Sequence, residues 1–270
     1  MSALIGVDFT SAPRPVKPIT VAHGHLDGDV VHLGHLSALP DWPSFEALLH
    51  TPGPWLGAFD FPFGLPREGL TALGWPHADW AAVVRHVATL SKADFRAALD
   101  ADRQRRPMGA RYPHRRTDAA ARSHSPMKLV NPPVGLMFFE GAPRLLTAGC
   151  TIAGLHMGDP QRIAVEAYPG LLARRITRAS YKSDTRRKQS PERQAARQDI
   201  IAELVAGTAP DGLRLAMRPE QRSRLIADAR GDLLDAALAL VQAAWCARHG
   251  SPRFGMPADA DPLEGWIASA

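Results

Sequence analysis

The sequence predicts an α/β fold built on a mixed five-stranded sheet: an antiparallel meander of strands one to three, then crossover strands, with helices on the flanks. Three observations predict it. Apolar runs at residues 3–9, 54–60 and 162–169 carry Asp8, Asp60 and Glu166 at or near their ends and then break at a turn or a proline. Residues 18–25 and 29–36 alternate apolar and polar side chains about Asp27-Gly28-Asp29, a strong hairpin signal. Residues 191–206 and a segment beginning near Gly231 repeat apolar side chains at helical spacing. The expectation is one domain over 1–270, with an insertion at about 62–159 after strand four and a loose tail at about 250–270.

Taken in order, residues 3–9 read as a buried strand followed by the Thr10-Ser11-Ala12-Pro13 turn, and the hairpin supplies strands two and three. Residues 44–50 form a short helix with Phe45, Leu48 and Leu49 on one side and Pro43 near its start. Strand four ends at Asp60. Helices are expected around 78–90 and 92–103, and then a stretch too polar and proline-broken for regular structure, with a small hairpin from 136–139 and 144–146. Strand five follows at 162–169 and a helix runs through Leu171 and Leu172. The helix at 191–206 is bracketed by Pro191 and Gly207. In the last helix Leu234, Leu238, Val241 and Trp245 form a stripe that Ala237 and Ala244 widen, the mark of a helix lying against the sheet.

The chain has 270 residues, 45% of them hydrophobic, enough for one large core. Its net charge of +5 favours a polyanionic partner only weakly. The longest apolar stretch, 233–245, is interrupted by Asp235 and Gln242 and is too short to span a bilayer. The N-terminus lacks the basic and apolar regions of a secretory signal. Cys150 and Cys246 provide neither a disulfide framework nor metal-site spacing, so the expected setting is the cytoplasm, with no membrane partner.

Acids carry the chemistry. A lone Asp at a strand end is ordinarily a turn residue. Asp232, at the start of a helix, also suits the positive helix terminus. Asp8, Asp60 and Glu166 on three strand ends, with Asp232 and Asp235 one helical turn apart, together suit a hard cation such as Mg2+ (or Mn2+). No G-x-S-x-G elbow, His-Glu-x-x-His pattern, Walker A loop or G-x-G-x-x-G fingerprint is present. Basic segments at 103–128 and 174–197 suit phosphate, with Lys182 of Ser180-Tyr181-Lys182-Ser183-Asp184 the preferred contact, or alternatively a helix C-terminal cation. His23, His25, His32 and His35 read as exposed strand residues, and Trp42, Trp55, Trp75 and Trp80 as packing.

The segments Ile5-Gly-Val-Asp-Phe-Thr-Ser-Ala-Pro, Phe59-Asp-Phe-Pro-Phe-Gly-Leu-Pro, Val165-Glu-Ala-Tyr-Pro and Gly231-Asp-Leu-Leu-Asp-Ala-Ala-Leu-Ala resemble, in order, those of a domain-of-unknown-function family predicted to be RNase H-like nucleases. In outline the chain is also similar to RuvC-type Holliday junction resolvases. That resemblance implies an RNase H-like fold, a nucleic-acid substrate, a possible homodimer and two metal ions held by Asp8, Asp60, Asp232 and Asp235. Glu166 has no counterpart in that quartet and competes with Asp232 for the remaining place, and Arg116 of Arg116-Thr117-Asp118 is placed to reach phosphate. Two rivals stay open: an actin-like nucleotide phosphotransferase, though the glycines expected after Asp8 are missing, and a non-catalytic nucleic-acid or protein-binding module.

Overall fold

A computed structural model describes residues 3–270. Strands β1 (Ala3–Asp8), β2 (Ile19–Asp27) and β3 (Val30–Leu39) form the expected meander, turned at Gly28 with φ +55°. Helix α1 (Trp42–Leu49), capped by the Asp41 side chain, leads to β4 (Trp55–Phe59), which lies parallel to β1. Helices α2 (Arg67–Leu73), α3 (Trp80–Thr89), α4 (Lys92–Arg105), α5 (Arg116–Ala121) and α6 (Val134–Thr147) follow. Strands β5 (Cys150–Ile152) and β6 (Asp159–Glu166), helices α7 (Pro169–Ile176) and α8 (Pro191–Ala206), strand β7 (Arg214–Ala216), and helices α9 (Pro219–Ala227) and α10 (Asp232–His249) complete the chain.

The sheet has seven strands rather than five, in the order β5-β6-β4-β1-β2-β3-β7, and β2 alone runs against the others. The added edge strands β5 and β7 are three residues each, too short for an alternating pattern to declare them. Side chains alternate between two cores on opposite faces of the sheet. Leu4, Ala58 and Val165 face the layer of α7, α8 and α10, whereas Ile5, Val7 and Phe59 face the layer of α1, α3 and α6. The segment expected as an insertion therefore supplies most of one helical layer.

Three expectations are corrected. Residues 136–146 form helix α6, not a hairpin: Leu136, Phe138 and Leu145 are buried in the core, and Gly141 lets the Phe61 ring pack where a Cβ would come within 2.5 Å. Residues 103–128 are not wholly irregular, because α4 continues to Arg105 and α5 is organised by the buried polar residues Arg115, Thr117, Asp118 and Ser125 instead of by apolar periodicity. The tail is not loose. Leu263, Trp266, Ile267 and Ala268 are buried, and the Ala268 N–H donates to the Glu166 carbonyl at 2.8 Å, adding a short parallel bridge beside β6.

Candidate active site

Strand register decides which acids meet. Val7 pairs with Phe59 across β1 and β4, so Asp8 and Asp60 emerge side by side at one sheet end, and the Asp60 N–H donates to the Val7 carbonyl at 2.9 Å. Parity turns Asp8 towards α10, since Val7 faces the opposite core. Helix α10 reaches it because Gly6 has no side chain: a Cβ there would lie 2.2 Å from the Leu240 backbone nitrogen. Asp232 and Asp235 occupy the first turn of α10, where the helix dipole favours negative charge.

Asp235 is fully buried and both its carboxylate oxygens are engaged. The Tyr181 hydroxyl donates to Oδ1 at 2.5 Å, and the Lys182 ammonium donates to Oδ2. The loop that carries them is held from α8, where the Arg197 guanidinium donates to the Tyr181 carbonyl at 2.6 Å and Arg193 donates to the Lys182 carbonyl. Gly231, at φ +78°, allows the Lys182 stem to cross the start of α10, for a Cβ there would come 2.8 Å from Lys182 Cβ. The Lys182 side chain remains 44% exposed towards the cleft.

The other acids of the cluster lack such partners. Among the described residues no side chain or N–H donates to the half-buried carboxylates of Asp8, Asp60 or Asp232. Burial raises Asp8 well above the usual carboxylate range, and the charge of Asp235 adds to this while Lys182 opposes it. Burial likewise pushes Asp60 up to about 7 against the pull of Lys182, and Asp232 up to about 6 with help from Asp228. Burial works against the charge on Lys182, but Asp235, with Tyr181 and Asp8, outweighs it and holds the ammonium well above its ordinary value. The result is a crevice of crowded carboxylates that hold their protons tightly, beside one seated cation.

Glu166 lines the same cleft and its charge helps raise Asp60, but its carboxylate is committed elsewhere. It pairs with Phe59 across β4 and β6, one residue short of the register of Asp60, so parity sends its side chain to the opposite face. There Arg115 grips it with two hydrogen bonds of 2.8 and 2.6 Å, and the Phe63 N–H donates at 2.9 Å. Arg115, 2% exposed, also binds Asp118 and the Glu264 carbonyl. Among the described residues no three His, Cys, Asp or Glu side chains converge as ligands of a single ion.

Arg116 points away from the acids, paired with Asp259 at 2.5 Å and lying over the Trp266 ring. Many bases of the first basic segment are used internally in the same way: Arg103 with Asp100, Arg105 and Arg106 with Asp102, and Lys128 with the Asn131 carbonyl. The cleft over the acids, about 790 Å³, is rimmed instead by Lys17, Arg174, Arg178 and Arg230. The roles of Tyr181 and Arg115 and the rim residues Lys17 and Arg230 escaped the sequence reading, although Tyr181 and Arg115 are immediate neighbours of the singled-out Lys182 and Arg116; Arg174 and Arg178 belong to the basic segment read as suiting phosphate. The four strand histidines stack in cross-strand pairs, His23 on His35 and His25 on His32, away from the cleft. Trp55, Trp75 and Trp80 are buried, and Trp42 lies under the Arg144 guanidinium.

No helix of the described residues is long and apolar enough to cross a membrane. Comparison of the chain with protein-family models, curated proteins and solved structures finds no match.

Proposed function

We propose that this chain is a metal-dependent nuclease, hydrolysing phosphodiesters of nucleic acid on an RNase H-like scaffold. The observation that carries the reading is that Asp8, Asp60 and Asp232, from two adjacent strand ends and one helix start, line a single cleft with a basic rim, with Asp235 buried behind them on Tyr181 and Lys182. The central strand order β3-β2-β1-β4-β6, with β2 alone reversed, is compatible with the mixed sheet that the resemblance implies. The donor chemistry fits a hard divalent cation such as Mg2+ or Mn2+: the carboxylates left without partners offer only oxygen, and their crowding in a buried crevice favours a cation that keeps them ionised. When bound, such an ion supplies activation of water and neutralisation of charge at phosphorus.

The chain's own residues account for the rest. Arg178, whose guanidinium makes no hydrogen bond with the described residues, and the exposed Arg230 stand where a phosphate backbone entering the cleft would meet them. Lys182 places a fixed positive charge at the floor, and the Arg115–Glu166 pair holds β6, α5 and the tail as the wall behind it. Labelled single-stranded, duplex and branched DNA and RNA, incubated with the purified protein and Mg2+ or Mn2+, test the reading. At least one is cut, and Asp8→Asn abolishes cutting while the far-ultraviolet circular dichroism stays unchanged. Consumption of ATP with no nucleic acid cut would overturn it.

A further inference from the structure

The two-ion arrangement implied by the resemblance needs the last-helix acid as a metal ligand, and here that acid is spent. Asp235 is fully buried, with Oδ1 taken by the Tyr181 hydroxyl and Oδ2 by the Lys182 ammonium. No third acid joins any pair to make a ligand set among the described residues. Asp8 and Asp60, by contrast, each follow the last paired residues, Val7 and Phe59, of two neighbouring parallel strands, with their carboxylates uncommitted. Mg2+ needs no more than one or two carboxylates when waters and substrate phosphate complete its shell. The ammonium beside them is itself a cation in the crevice, and its stem is fixed across Gly231.

We infer that Lys182 is the second cation of this site, so that the chain takes one divalent ion, seated between Asp8 and Asp60, and uses the lysine in place of another. The inference rests on the proposed nuclease reading and specifies its machinery. Because the Lys182 side chain lines the cleft and is 44% exposed, its ammonium can keep one hydrogen on Asp235 and offer another to a bound phosphodiester. In hydrolysis a water oxygen bonds to phosphorus, and the bond from phosphorus to the sugar oxygen breaks with its electron pair going to that oxygen. Lys182 hydrogen-bonds the oxygen as its charge grows, the proton shed by water passes to solvent, and solvent returns one to the leaving oxygen. Lys182 is thereby a catalytic residue and not only a partner for Asp235.

Electron paramagnetic resonance of the full chain titrated with Mn2+, without nucleic acid, tests this by counting ions. Wild type binds one Mn2+ per chain, and its spectrum lacks the coupling between neighbouring Mn2+ ions. Asp8→Asn and Asp60→Asn each bring the count to zero, Lys182→Arg keeps it at one, and Lys182→Met, which frees Asp235, raises it to two. Two coupled ions on the wild type, none at millimolar Mn2+, or a folded Lys182→Met that stays at one would each overturn the inference. The wild-type spectrum decides even where a variant fails to fold. The count is independent of cutting: one ion on a protein that cuts nothing removes the nuclease reading and leaves the seat, whereas two ions on a protein that cuts do the reverse.

Discussion

Asp60 and Glu166 close neighbouring parallel strands, and a single residue of register gives them different surroundings. In the sequence both are acids at the end of an apolar run, and nothing local distinguishes them; both line the cleft, but only the pairing of Phe59 with Glu166 commits one of them to Arg115 and leaves the other without a partner. Glu166→Ala leaves the Arg115 guanidinium buried beside Asp118 alone, so urea denaturation should show a loss of about 3–5 kcal/mol, while Mn2+ binding survives. Asp60 and Asp232 make a different statement. Their folded-state values, about 7 and about 6, lie above the ordinary carboxylate value, so the folded chain holds these protons more tightly than the unfolded chain does. Their contribution to stability is whole below about pH 4 and is lost as pH rises through about 6 to 7. In a metal chelator, the melting temperature should therefore fall between about pH 5 and pH 8, and Mg2+ should raise it more at the upper pH than at the lower. Equal Mg2+ effects at both would argue against Asp60 as part of the ion's seat.

The element that builds the site is α10, and its packing is legible where periodicity is strong. The stripe Leu234, Leu238, Val241 and Trp245 marks the helix, and the buried face widens through Ala237 and Ala244 onto β1. The closeness of that contact is not in the periodicity: it comes from Gly6, which the sequence shows only as one more glycine. Gly6→Ala would drive a Cβ against the α10 backbone, and the helix must lift off the sheet by about an ångström. The expected outcome is a stability loss of about 1–3 kcal/mol or more by thermal melting, with weakened Mn2+ binding as Asp8 and the first turn of α10 separate. Helix α8 was equally readable, from Pro191 to the left-handed Gly207. Helix α6 was not, because Gly135, Gly141 and Pro143 read as breakers and only the packing against Phe61 and its neighbours favours the helix. Basic residues misled for a related reason: charge along the chain does not reveal that Arg115, Arg193 and Arg197 are tied to buried or backbone acceptors.

At the scale of the molecule, one sheet divides two cores and the cleft opens at one end of its central strands. The C-terminal residues close the wall behind that end: Thr117 accepts from the Ile267 N–H at 2.8 Å, and Arg115 donates to Glu264 as well as to Glu166. Pairing of this kind depends on partners about 150 residues away, and a short polar tail carries no pattern that announces it. The sheet meander, by contrast, was declared by one Asp-Gly turn between alternating runs. What the whole arrangement offers is an acidic floor, a fixed lysine and a basic rim within one cleft of about 790 Å³. The most direct test is cleavage of labelled nucleic acid by wild type and Asp60→Asn, followed in Mg2+ and again after chelation. Cutting by wild type that stops on chelation, returns with Mg2+ and is absent in a folded Asp60→Asn is the predicted result; cutting that persists in the chelator or in Asp60→Asn would contradict the account.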